Sequence, residues 1–164
     1  MSEPYDLLEC SHFTAGAVGE PGQRVFYLQA AGSGPVVTIR CEKVQVAAIG
    51  ESFGRMLEQL EDTTPAGGNA PLLRGPLEAD FVAGSLALGF DQSTDKLVLV
   101  IEELVEEGEP SRTARWFVSR PQARAFAERA ALLMSGGRPI CWLCGLPMNT
   151  DGHTCPKTNG HHPH

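Results

Sequence analysis

The stretch FTAGAV, Phe13 to Val18, returns as FVAGSL, Phe81 to Leu86, and that recurrence decides the fold. Each copy leads into turn residues and then a strand-like run: EPGQ before RVFYLQA in the first, DQSTD before KLVLVIEEL in the second. A third extended piece follows in both, PVVTIRC at Pro35 to Cys41 and ARWFVS at Ala114 to Ser119; EKVQVAA and SRPQARA then each open a helix. Ile49, Phe53, Met56, Leu57 and Leu60 share one face of the first helix. Ala123, Phe126, Ala127, Ala130, Ala131 and Met134 share one face of the second, at the three-and-four spacing of amphipathic helices. Ser119 is placed to cap the second helix, Pro121 suits its first turn, where a missing N–H costs little, and Gly136-Gly137 would stop it.

These elements predict an α+β fold: two tandem β-β-β-α units forming a two-layer sheet-plus-helix domain, because neither three strands nor one helix buries enough apolar surface alone. The body is expected to occupy residues 1–137, with copies at about 11–60 and 80–136 joined by a linker at 61–79, and a tail to occupy 138–164.

Composition narrows the function classes. An apolar fraction of 42% and a charged fraction of 20% belong to globular chains. The absence of a long apolar run and of a basic-then-apolar start predicts a cytoplasmic protein with no membrane partner. A formal net charge of -7 disfavours nucleic acid, which is held chiefly by Lys and Arg displacing counterions. The acidic run IEELVEEGEP, Ile101 to Pro110, reads as a solvated strand end and hairpin loop, since it lacks the offsets of a calcium loop.

Three of the five cysteines and three of the five histidines fall between Cys141 and His162, in CWLCGLPMNTDGHTCPKTNGHH. C-x-x-C followed by Gly145 reads as a metal knuckle, and the turn-rich GLPMNTDG lets the chain fold back to bring up His153 and Cys155. Cys141, Cys144, His153 and Cys155 are the predicted ligands of a tetrahedral Zn²⁺, at about 2.0 to 2.3 Å. His161 or His162 is the alternative fourth ligand. Four protein ligands leave no coordination position for water, so the zinc is read as structural. A redox C-x-x-C would open a helix, which Gly145 and Pro147 oppose. A tail this short makes no useful core and is expected to fold only with its metal. Trp142 and Leu143, inside the knuckle, either dock on the body or form a partner surface.

The tail RPICWLCGLPMNTDGHTCPKTNG, together with FTAGAVGEPGQRVFYLQA and RPQARAFAERA, resembles the actinobacterial family known as domain of unknown function 3090. Its pattern carries over onto Cys141, Cys144, Gly152, His153, Cys155, Pro156, Asn159 and Gly160; HHPH stands where basic residues are expected after Asn159-Gly160. The resemblance implies an intracellular protein without an established enzymatic activity. Within that class it implies a modulator of a ParA-type chromosome-segregation ATPase.

No catalytic residue is assigned from the sequence, and the first reading is a non-enzymatic zinc-binding interaction or regulatory protein with a protein partner. The closed metal site, the lack of a Ser/His/Asp or Cys/His set, and a body with free sheet edges motivate it. Two alternatives remain open. One is an enzyme with thiol or phosphoester chemistry in a cleft of the body, using Cys10, His12 or the carboxylates from Glu102 to Glu109. The other is nucleic-acid binding through the zinc tail.

Overall fold

The computed structural model describes residues 5–20, 22–66 and 68–135. Its elements run β1 (His12–Val18), β2 (Val25–Ala31), β3 (Val37–Cys41), α1 (Lys43–Gln59), β4 (Phe81–Asp91), β5 (Lys96–Glu103), β6 (Thr113–Val118) and α2 (Arg120–Leu133). The protein is thus a mixed α+β structure with a six-stranded sheet and two helices, the strands lying in chain order from β1 to β6. Neighbours are antiparallel except β3 and β4, which meet in parallel at Ile39 beside Phe81 and Arg40 beside Val82.

Both helices begin as their sequences dictate. Ser119 Oγ accepts the Gln122 N–H at 3.2 Å, and Gln122 Oε1 accepts the Ser119 N–H at 2.8 Å, with Pro121 in the first turn. At the head of α1 the Glu42 N–H donates to Gln45 Oε1 at 2.8 Å. Reciprocal bonds of this kind satisfy the donors a helix start leaves over. The same two glutamines also tie each helix to a strand or its lead-in: Gln45 Nε2 donates to the Gly84 carbonyl and Gln122 Nε2 to that of Cys10. The second helix ends at Leu133, ahead of Gly136-Gly137, which lies outside the described residues. Ala131, expected on its inner face, is exposed; the buried positions are Ala123, Ala125, Phe126 and Ala130.

Phe13, Phe53, Phe126 and Trp116 bring β1, both helices and β6 into one aromatic core. The helices approach closely at Gly50, where a Cβ would come within 2.6 Å of the Ala130 Cβ, so no larger residue fits without moving α2. The contact between Phe13 and Trp116, 6.1 Å between ring centroids, joins the first strand to the last, so the sheet curls until its ends meet. Tyr5 to Leu7 close the seam: the Leu7 N–H donates to the Arg115 carbonyl at 2.8 Å, and the Phe117 N–H to that of Leu7 at 2.9 Å. The free sheet edge expected on β6 is therefore occupied, which removes an exposed template for strand pairing.

Two further differences concern lengths and connections. β4 runs 11 residues against the 7 of β1, with a register shift between Ala83 and Leu86. The connection after α1 has no helix or strand, yet it lies across β1 to β3 on the side away from the helices. There Leu73 fills the space in front of Gly16, 2.6 Å from where a Cβ would stand. No described helix is long and apolar enough to cross a membrane.

Candidate functional site

The predicted ligands Cys141, Cys144, His153 and Cys155, the alternatives His161 and His162, and Trp142 and Leu143 all lie outside the described residues. The geometry available is that of the second reading, in which Cys10, His12 and the acidic hairpin would cooperate.

Cys10 lines a surface groove of about 920 Å³ with Glu9, Lys96, Ser119 and Gln122. Burial pushes its thiol pKa up to about 12, and the nearby Lys96 charge lowers it only in part. Cys41 is likewise pushed up to about 12 by burial, with Glu42 adding to the shift. Neither sulfur is a thiolate at neutral pH, and the thiolate is the reactive form.

His12 faces away from that chemistry. Alternation along β1 sends Phe13 and Ala15 into the aromatic core and turns His12, Thr14 and Gly16 to the opposite side. There Gln29, from β2, organises a buried polar network. Its Nε2 donates to the Arg74 carbonyl at 2.7 Å and to Thr38 Oγ1 at 3.1 Å, while its Oε1 accepts the Arg74 N–H at 2.8 Å. A main-chain donor and a main-chain acceptor from one residue fix the orientation of the amide. His12 Nε2, 3.0 Å from the same Oε1, must then carry the ring proton. Its Nδ1 is buried with no hydrogen-bond partner among the described residues. Burial lowers the His12 pKa; the Gln29 bond opposes the shift and the Arg74 charge adds to it. The ring is a neutral, fixed donor rather than a base beside Cys10.

The network clamps the connection onto the sheet. Asp80 holds one end, accepting the Thr38 N–H at 2.9 Å and donating its own N–H to the Thr38 carbonyl at 2.7 Å. At the other end Asp62 pairs with Arg120 at 3.2 Å and Arg124 at 3.5 Å. Between them, Arg129 of α2 donates to the carbonyls of Ala70 at 2.6 Å and Pro71 at 3.2 Å and to Thr14 Oγ1 at 3.3 Å. Sequence reasoning passed over Gln29, Arg74 and Arg129. The available signal was the run LQAA, in which a glutamine sits among small apolar residues on both parities, the mark of a strand buried on both sides.

The acidic hairpin is paired or solvated, as its composition predicted. Glu103 receives Arg112 side-chain bonds at 2.9 and 3.0 Å, which with the Arg112 N–H hold its carboxyl at about 2. Glu102 accepts the Ser85 hydroxyl at 2.6 Å, and Glu106, Glu107 and Glu109 are exposed. Among the described residues no three His, Cys, Asp or Glu side chains gather where a metal ion would be held.

A curled six-stranded sheet around two packed helices, with its one uncommitted cluster of metal donors in the tail sequence, defines the class: a mixed α+β protein with a C-terminal Cys/His segment. The chain belongs to the family described as Protein of unknown function (DUF3090), whose model matches residues 5–155. Nothing among curated proteins or solved structures matches the chain.

Proposed function

We propose that this chain is a non-enzymatic, zinc-binding interaction or regulatory protein of the cytoplasm. In this reading a duplicated β-β-β-α body at 1–137 carries a metal-organised tail at 138–164. The observation that carries the reading is the donor set itself. Cys141, Cys144, His153 and Cys155 all lie within the stretch matched by the family model, which reaches Cys155 and stops short of His161 and His162. Three thiolates and one imidazole close a tetrahedral shell around Zn²⁺, so the metal supplies folding free energy rather than an activated water.

The body supports the non-enzymatic part. Its two cysteines are held as protonated thiols, and His12 is spent on holding Gln29. Duplication is supported by the repeated element order, by a capping glutamine three residues after each N-cap, and by Ile39 beside Phe81 where the other half sets Trp116 against Phe13. The partner implied by the family resemblance, a ParA-type ATPase, is tested by pull-down and by its polymerisation; no recovery and no effect would remove that partner.

Native mass spectrometry of untagged protein tests the metal centre. One zinc per wild-type chain, weakened in His153→Ala and retained in the double variant His161→Ala/His162→Ala, is the expected result. A chain that binds no metal and whose Cys141 and Cys144 oxidise readily would overturn it.

A further inference from the structure

Strands β4 to β6 have one side in the core and one side turned out. Leu97, Leu99, Ile101, Trp116 and Val118 are fully buried toward the helices. The alternate positions Val98, Val100 and Phe117 point the other way and are half-buried, with Ala87 exposed beside them. The register sets Val98 next to Phe117 and Ala87 next to Val100, so these side chains form one apolar strip. It is continuous with a cavity of about 690 Å³ lined by Tyr5, Val100, Glu102 and Arg115.

The same side of β1 to β3 bears His12, Thr14, Gln29 and Thr38, and these polar groups are sealed beneath the connection that follows α1. The polar side is covered and the apolar side is open, the reverse of what water selects. We propose that residues 138–164 of this chain lie across the outer side of β4 to β6, with Trp142 and Leu143 against Val98, Val100 and Phe117.

Chain length and composition choose this occupant. Residues 61–80 suffice to cover β1 to β3 after α1, and the longer stretch from Met134 to His164 follows α2. At up to roughly 3.3 Å per residue it outreaches the ~40 Å breadth of a domain this size. It carries Trp142, Leu143, Leu146 and Met148, and its cations Arg138 and Lys157 exceed its one acid, Asp151, opposite an acidic body. The inference goes beyond the zinc reading and does not require the metal.

The test uses the untagged full chain and its two tryptophans. Trp116 is fully buried, so acrylamide quenching reports on Trp142. Wild type is expected to show both indoles shielded, and Val98→Lys/Val100→Lys a several-fold rise in the quenching constant with the chain monomeric throughout. In a second measurement, Trp142→Ala should remove ring-current shifts from the Val98 and Val100 methyl resonances and leave Val37 and Val46 unmoved. A freely quenched Trp142 in wild type, or methyl resonances indifferent to Trp142→Ala, would overturn the proposal. So would a wild-type dimer that the lysine variant dissociates with quenching unchanged, since a second copy would then be the cover. Zinc content read on the same samples separates the two readings: shielded Trp142 without zinc keeps the docking and removes the metal centre, and free Trp142 with zinc does the reverse.

Discussion

The outer sides of the two strand triplets solve the same problem in opposite ways. On β1 to β3, a connection without regular structure is fastened by main-chain hydrogen bonds to Gln29 and Thr38, and the residues beneath it are polar. On β4 to β6 the corresponding positions are Val98, Val100 and Phe117, which offer area but no directional partner. A polar underside selects one specific strap and register, because every buried donor and acceptor must be met. An apolar underside tolerates any cover of suitable shape. The difference teaches that equal burial on two sides of a sheet can rest on different physics, one side held by satisfaction of polar groups and the other by exclusion of water.

The largest effect should come from breaking the polar side. Gln29→Leu strands the Arg74 N–H and carbonyl together with His12 Nε2, at roughly 1–3 kcal/mol for each unmet group. A total near 3 kcal/mol should lower the midpoint of thermal unfolding by about 10 °C. The reciprocal change, Val100→Gln, places an amide where water can reach it and should cost under about 1 kcal/mol. Similar losses from the two substitutions would erase the contrast drawn here.

A smaller effect is expected at the strap's far anchor. Arg129→Met keeps the aliphatic stem but surrenders the bonds to Ala70, Pro71 and Thr14, with an expected loss of about 2 kcal/mol. Amide exchange should then accelerate in residues 68–74 while β5 stays protected. Uniform acceleration over the whole sheet would mean that Arg129 stabilises the core generally.

The smallest effect is the pH response of His12. Its folded pKa lies below the ordinary 6.5, so between the two values the unfolded chain binds the proton that the folded chain refuses. Stability therefore falls as pH drops below about 6.5 and stops falling from this source below the folded pKa. Denaturant midpoints between pH 7 and 5 should decline more steeply for wild type than for His12→Gln; parallel declines would show that the ring titrates freely beneath the strap.

Much of this architecture is written locally. The paired FxAG segments, the stem-face residues Ile49, Phe53 and Leu57, the Ser119 cap and Pro121 each speak through their own neighbours in sequence, and each stands where periodicity and capping chemistry put it. What stayed hidden depends on distant partners. Leu7 reads as an ordinary leucine until β6 arrives beside it, and Gln29 reads as a polar residue in a strand until Arg74 covers it. The proximity of Cys10 and His12 in sequence suggested cooperation that the pleat does not permit, since Gln29 takes the ring. The metal donors were legible because thiol and imidazole spacing is itself local chemistry, independent of how the body folds.

The seam between the two ends of the sheet also has a consequence in time. Tyr5 to Leu7 take their partners from Arg115 to Phe117, and the Cys10 carbonyl waits for Gln122. Synthesis at ~5–20 residues per second leaves this leading segment exposed for on the order of ten seconds while the intervening chain emerges. The first residues made are thus among the last to find their places, and closing the seam is a post-synthetic event, coupled to completion of α2.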